Sequence, residues 1–254
     1  MADLLRFHWV FLLIAAPFVG SFLGVVAARL PAGRPVLWGR SACPHCGRSL
    51  AARDLIPVVS WALSRGACRT CGRALSWFYP ALEVAALIVA AWSLALVPGW
   101  LAWASCGLGW ALLALAVIDA RHLILPDELT LPLIPAGLAV AWVLDPARLP
   151  HHAAGAVGAY VLVLGIRLVY RRVRRRDGIG LGDAKLLAAA GAWLGWAGLP
   201  SVLLVAAAGA LLGHAVWAGV RRHGLRDREL PFGPYLAGAF WLTWLYGPVV
   251  VSLP

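Results

Sequence analysis

Charge is scarce in this chain, and negative charge scarcer still. Only 13% of the 254 residues are Asp, Glu, Lys or Arg, and 62% are hydrophobic. A soluble domain carries about 25% charged residues. The shortage excludes an ordinary soluble domain and predicts an all-α polytopic membrane protein, a helix bundle in the lipid bilayer. Also missing are Gly-x-Ser-x-Gly, His-Glu-x-x-His and a phosphate-binding loop. Serine hydrolase, zincin and P-loop ATPase readings lose their usual support. The net charge of +11 does not call for nucleic acid. Basic loops lying against anionic lipid head groups account for it.

What the chain does have is uncharged stretches of spanning length. They cover residues 9–28, 84–118, 129–144, 153–166, 186–220 and 230–254. A span needs about 20 residues. Residues 84–118 are too long for one helix, and Pro98-Gly99 breaks them. Residues 186–220 are broken likewise at Gly198-Leu-Pro200. About eight transmembrane helices are therefore expected. The short 129–144 stretch contains Pro132 and Pro135. The first run is too long for the usual apolar core of a signal peptide, and only Arg6 precedes it, so a retained helix is expected.

Basic residues set the orientation. With the N-terminus on the periplasmic side, 20 of the 22 basic residues fall in cytoplasmic loops, and only Arg6 and Arg148 do not. They include Arg167, Arg171, Arg172, Arg174, Arg175, Arg176 and Lys185, then Arg221, Arg222, Arg226 and Arg228. The positive-inside rule selects this topology. The chain then divides into a first transmembrane helix (1–28), a cytoplasmic module (29–77) and a membrane-embedded bundle (78–254).

The cytoplasmic module holds Cys43-Pro-His-Cys46 and Cys68-Arg-Thr-Cys71, separated by 21 residues. Each pair can present two thiolates to one ion. Cys43, Cys46, Cys68 and Cys71 together make the closed tetrahedral set of a structural zinc. Gly47 and Gly72 follow each pair and suit tight turns around the metal. The other reading, two disulfides or redox pairs, conflicts with a reducing cytosol. So short a segment takes much of its folding energy from the metal. Cys106, in the third span, reads as a small core residue.

With only 11 acidic residues, the placement of each matters. Asp119 closes the apolar run 110–118. Asp183 sits in Gly180-Leu-Gly-Asp183 and opens the run 186–199. A carboxylate at a membrane boundary is costly to desolvate and marks a functional site. The predicted topology puts both at the cytoplasmic face, where they can share acid/base work as in an aspartic protease. Gly180 and Gly182 lack Cβ atoms and allow close approach to Asp183. The competing reading makes both aspartates ordinary helix-end residues, with Asp183 as a cap. Asp127 and Glu128 compete for the role of Asp119, but Asp127 precedes a helical run and suits N-capping. Glu83 falls in the first turn of the second span, where it can face the helix dipole or pair with an arginine. Lys185 can snorkel to the interface. His214 reads as a hydrogen-bonded bundle residue.

These residues, taken in order, resemble the bacterial type IV prepilin peptidases, also called leader peptidase/N-methyltransferases. The resemblance runs through Gly20-Ser-Phe-Leu23, Arg29-Leu-Pro31, the paired cysteines, Asp54-Leu-Ile-Pro57 with Ser60-Trp61, and Tyr79-Pro80 with Glu83. It continues through Asp119 with Leu125-Pro-Asp127, Gly180-Leu-Gly-Asp183 with Lys185-Leu186, and Pro231-Phe-Gly-Pro-Tyr-Leu236. The chain departs from the family at Gly24, where asparagine is frequent. The resemblance implies that Asp119 and Asp183 are a catalytic pair, supported by Gly180, Gly182, Lys185 and Glu83. It implies a prepilin or pseudopilin substrate with a short basic leader, cut after a glycine at the cytoplasmic face of the bacterial inner membrane. It also implies N-methylation of the new N-terminus from S-adenosylmethionine. A rival of another class is a proton-coupled transporter with a zinc-stabilised loop, since membrane carboxylates also serve proton relays. No internal repeat supports it. A non-enzymatic assembly factor would not need the two aspartates.

Overall fold

The computed structural model describes residues 8–175, 180–220 and 231–249. Arg6, Arg176, Arg221, Arg222, Arg226 and Arg228, together with the end of the last expected span, lie outside them. The chain forms two compact units, Met1–Ala114 and Leu115–Pro254.

In the first unit, α1 (His8–Arg29) packs along α3 (Phe78–Leu96). Between them lies the polar module, with one short helix, α2 (Val59–Leu63). The approach of α1 to α3 is very close at Gly20, where a Cβ would lie 2.5 Å from the Cα of Glu83. Small residues let membrane helices meet in this way. The helix α4 (Leu101–His122) begins in this unit and contributes Ala102 and Cys106 to a core with Leu12, Ala16 and Ala90. Cys106 is fully buried there, as expected of a small core residue.

The second unit takes in the end of α4, then α5 (Asp127–Leu144), α6 (Leu149–Arg174), α7 (Leu181–Val220) and α8 (Gly233–Tyr246). The central element is α7, which packs against α5, α6 and α8. Its middle is lined with alanine and is buried from Leu186 to Trp193. The α5 helix keeps Pro132 and Pro135 inside it. In that loosened stretch the indole of Trp193 donates to the Leu133 carbonyl at 2.8 Å. Neighbouring side chains commonly restore such contacts in membrane helices.

Among the described residues, six helices are long and apolar enough to cross a membrane. Their outer faces carry Phe11, Ile14, Phe18, Val157 and Val161 in exposed positions, a pattern suited to lipid. The all-helical polytopic reading therefore holds, while the count of eight is approximate. The sixth of these is two helical segments that meet at Gly195, whose backbone is not helical, and α8 has 14 residues. The break at Pro98-Gly99 falls between α3 and α4, as expected. The break expected at Gly198-Leu-Pro200 instead falls at Gly195, which has φ 69° and ψ 176°. Glycine alone adopts that backbone without strain, and Pro200 is carried near the start of the following helical segment. Arg167, Arg171, Arg172 and Arg174 continue α6 and do not form a loop.

Candidate functional site

Asp119 lies in the last turn of α4, with only 6% of its surface exposed. Its Oδ2 accepts the backbone N–H of Gly233 at 2.9 Å. Gly233 is the first residue of α8, so the carboxylate sits on a helix N-terminus, where free N–H groups and the helix dipole favour an anion. A Cβ at Gly233 would lie 2.7 Å from that oxygen. The contact therefore requires glycine. After Asp119 the chain leaves the helix through Leu123, with φ 56°, a left-handed conformation costly for leucine.

Asp183 lies in the first turn of α7 and is half-buried. Its carboxylate accepts the backbone N–H of Gly180, and it feels the charge of Asp119 across the site. The contact with Gly180 is a helix-end interaction, in which an acid in the first turn reaches back to the residue before the helix. The capping reading of Asp183 is thus partly right, and the residue still faces a second carboxylate.

Two contacts bring these segments together. Gly182 packs on Leu125, where a Cβ would meet the leucine Cβ at 2.8 Å. Lys185 Nζ binds both carboxylate oxygens of Asp127, at 2.5 and 2.7 Å. One expectation is corrected here. Asp127 is not the N-cap of α5: Pro126 holds that position, and Asp127 follows it as the first helical residue. The Lys185 ammonium is engaged by Asp127.

Two carboxylates near enough to feel each other's charge, each accepting a backbone N–H, are suited to shared acid/base work.

The four cysteines form a separate cluster in the first unit. Their sulfurs lie within 4.8 Å of one another, and Cys43 Sγ is 4.0 Å from Cys71 Sγ. A tetrahedral ion with Zn–S bonds of about 2.3 Å needs sulfurs about 3.8 Å apart. A disulfide needs about 2.05 Å, and all four cysteines are free. The two turns are built alike. Gly47 N–H bonds Cys43 O at 3.0 Å, and Gly72 N–H bonds Cys68 O at 2.8 Å. Both glycines have positive φ, at 70° and 68°. The backbone N–H of Cys71 lowers the pKa of Cys68 to about 6. The Arg73 N–H pulls Cys71 the same way, but desolvation and the other sulfurs push that thiol up to about 11. Four sulfurs this close cannot all ionise until a cation joins them, so the donor set fits a metal.

Beside the module lies a cavity of about 450 Å³, lined in part by Arg29, Arg48, Asp54, Trp61, Tyr79 and Glu83. Glu83 is the sixth residue of α3, beyond its first turn, and is 6% exposed. It pairs with no arginine among the described residues. Its Oε2 instead accepts the backbone N–H of Val58 at 2.6 Å, and Ser21 hydrogen-bonds it as well. Val58 has φ 59° and ψ −52°, with Val59 N–H returning to the Pro57 carbonyl. That is a γ-turn of the strained hand on a β-branched residue. Gly24 lies at the same wall: a Cβ there would be 3.0 Å from the ring of Tyr79.

His214 is corrected too. Its Nδ1 is buried and finds no hydrogen-bond partner among the described residues. Sequence reasoning quoted Gly233 as part of a matching motif but gave it no role. The signal was a glycine flanked by prolines opening an apolar run.

The description "Bacterial Peptidase A24 N-terminal domain" matches residues 14–97, and "Type IV leader peptidase family" matches residues 106–216. Among similar proteins is a "Prepilin leader peptidase/N-methyltransferase" of Aeromonas hydrophila, 37% identical over 90% of this chain and 87% of the relative. Relatives of the same name are 41% identical in Burkholderia pseudomallei (strain 1026b), over 93% and 85%, and 34% identical in Stutzerimonas stutzeri, over 94% and 91%. No solved structure matches the chain. With both descriptions matched in order and relatives aligned along nearly its whole length, the chain belongs to the type IV leader peptidase family.

Proposed function

We propose that this chain is a membrane aspartic endopeptidase. Its substrates are type IV prepilins or type II secretion pseudopilins, from which it removes the basic leader. The observation that carries the reading is the pair Asp119 and Asp183, drawn from two helices, each held by a backbone N–H and near enough to feel each other's charge. Water between them attacks the scissile carbonyl. One carboxylate accepts the water proton and the other protonates the carbonyl oxygen. The pair titrates as a unit, so neither role is assigned to one residue. Gly180 and Gly182 leave room for substrate, and Lys185 fixes the start of α7 against Asp127. The distribution of basic residues supports an inner-membrane protein with a periplasmic N-terminus and the cut at the cytoplasmic face.

The same chain then N-methylates the new N-terminus. S-adenosylmethionine supplies, when bound, an electrophilic methyl group for the freed α-amine. The cavity of the first unit suits a ligand of that class in volume and in its mix of aromatic and charged walls. Zinc, held by Cys43, Cys46, Cys68 and Cys71, is structural: it joins the two turns of the module (29–77), which in the chain follows the anchor helix (1–28) and precedes the peptidase bundle (78–254). Neither the fold nor the relatives favour a transporter.

One experiment tests both activities. The purified protein is incubated with a prepilin, with and without S-adenosylmethionine, and the product is weighed by mass spectrometry. Leader loss in both samples, with one added methyl group only when the donor is present, is the expected result. No cleavage in either sample would overturn the peptidase reading. Cleavage without methylation at saturating donor would leave a peptidase alone.

A further inference from the structure

We propose that Glu83 is a recognition carboxylate for a cationic group entering the cavity of the first unit. The inference rests on the methylation half of the reading above and names the side chain that serves it. Three of the five arginines that line the cavity are engaged by the protein itself, and Arg34 and Arg40 line it as well. The Arg29 guanidinium is spent on the carbonyls of Trp38, Gly39 and Arg40, Arg48 on the Thr70 hydroxyl, and Arg69 on Asp54. Asp54, the other carboxylate in the wall, thus has its cation. Glu83 has none among the described residues.

The Val58 N–H and Ser21 hold the Glu83 carboxylate without neutralising it. A buried carboxylate held only by neutral donors is expensive and calls for a positive partner. The carboxylate is also firmly placed. Gly20 brings the α1 backbone against Glu83, and the strained turn at Val58 is fixed by the same oxygen. Backbone strain over-determined by its surroundings collects at ligand sites. Trp61 and Tyr79 line the same cavity, and aromatic faces attract cations too.

The chemistry Glu83 selects is a cation centred on nitrogen or sulfur. Methylation offers two sources: the α-ammonium freed by leader cleavage, and the charged groups of the methyl donor.

Glu83→Gln isolates the charge, because the amide keeps the length of the side chain and an oxygen for the Val58 N–H. The full-length, zinc-loaded protein in detergent is used. Binding of S-adenosylmethionine, S-adenosylhomocysteine and a pre-cleaved pilin peptide is measured by calorimetry, alongside melting temperature and leader cleavage. Affinity for at least one ligand should fall on the order of 10- to 100-fold, the size of one charge-assisted hydrogen bond. Melting temperature should not change. Loss for S-adenosylmethionine alone assigns Glu83 to the sulfonium, loss for both nucleosides to their shared ammonium, and loss for the peptide alone to the substrate amine. Unchanged binding of all three overturns the inference. So does a fall in melting temperature that accompanies the loss of binding, which would make Glu83 a structural anchor. Wild-type protein that cleaves but neither binds the donor nor methylates sinks the methylation reading itself. Wild-type protein that methylates while Glu83→Gln matches it sinks only the role of Glu83.

Discussion

The sulfur cluster and the carboxylate pair are assembled in opposite ways. Each cysteine pair shapes its own turn, with the same carbonyl and the same glycine closing it, and the two turns need only meet. Asp119, Asp183 and Gly233 come from three helices, and the bond from Gly233 to Asp119 spans 114 residues. A site made of local turns depends on its ion to hold the halves together. A site made of helix ends depends on the bundle behind it. Damage to one should therefore leave much of the other intact, and experiments can attack that separation directly.

The largest effect is expected at the carboxylates. Asp119→Asn and Asp183→Asn should each lower cleavage by at least the 10²–10⁴-fold typical of acid/base catalysis. Zinc content and membrane insertion should not change. Asp127→Asn should keep far more activity, since Asp127 binds Lys185 and not the other aspartate. A dead Asp127→Asn beside an active Asp119→Asn, in a prepilin cleavage assay, would reverse the assignment.

Next comes the metal. Elemental analysis should find about one zinc per chain, and Cys68→Ser should remove most of it. The apparent binding energy of a structural zinc is on the order of 10–16 kcal/mol, so the module should become open to proteolysis. Leader cleavage should survive in part, because the ion is a scaffold. Complete loss of cleavage with zinc would show that the two sites are not separable.

Gly233→Ala probes the bundle side more gently. The added methyl must push Asp119 away, and a hydrogen bond to a charged group contributes about 1.5–3 kcal/mol. The rate of cleavage should fall roughly 10- to 100-fold on that basis, with KM little changed and zinc content intact. An unaltered rate would mean that the contact is incidental.

The smallest effect belongs to Lys185→Ala. Asp127 is about half exposed, and such pairs contribute about 0.2–1 kcal/mol. Cleavage should drop by a few-fold at most, and the charge-swapped pair Asp127→Lys with Lys185→Asp should recover most of it. A loss as deep as that of Asp183→Asn would promote Lys185 to direct contact with substrate.

The same contrast explains what the sequence could tell. The cysteine spacing named the metal set, and the following glycines do adopt positive φ, because both facts are encoded within a few residues. The helix break at Pro98-Gly99 and the 129–144 helix with its two prolines were legible for the same reason. Partners chosen by tertiary packing were not. Glu83 was read against the helix dipole or an arginine, but the fold offers it the Val58 N–H. Lys185 was read as reaching for the interface, and the fold gives it Asp127 as a partner. The kink in α7 was placed at the residue pair with the worse helix propensity, whereas packing decided between several glycines and chose Gly195.

That kink has a consequence for α6. A break in a helix leaves carbonyls without their usual partners. His152 Nδ1 lies 3.0 Å from the carbonyl of Ala192, just before the bend. A carbonyl can only accept, so the imidazole must carry its proton on Nδ1. One ring on α6 thus acts as a splint for α7, fixing a tautomer in the act, and a side chain without a donor at that place should let the bend relax.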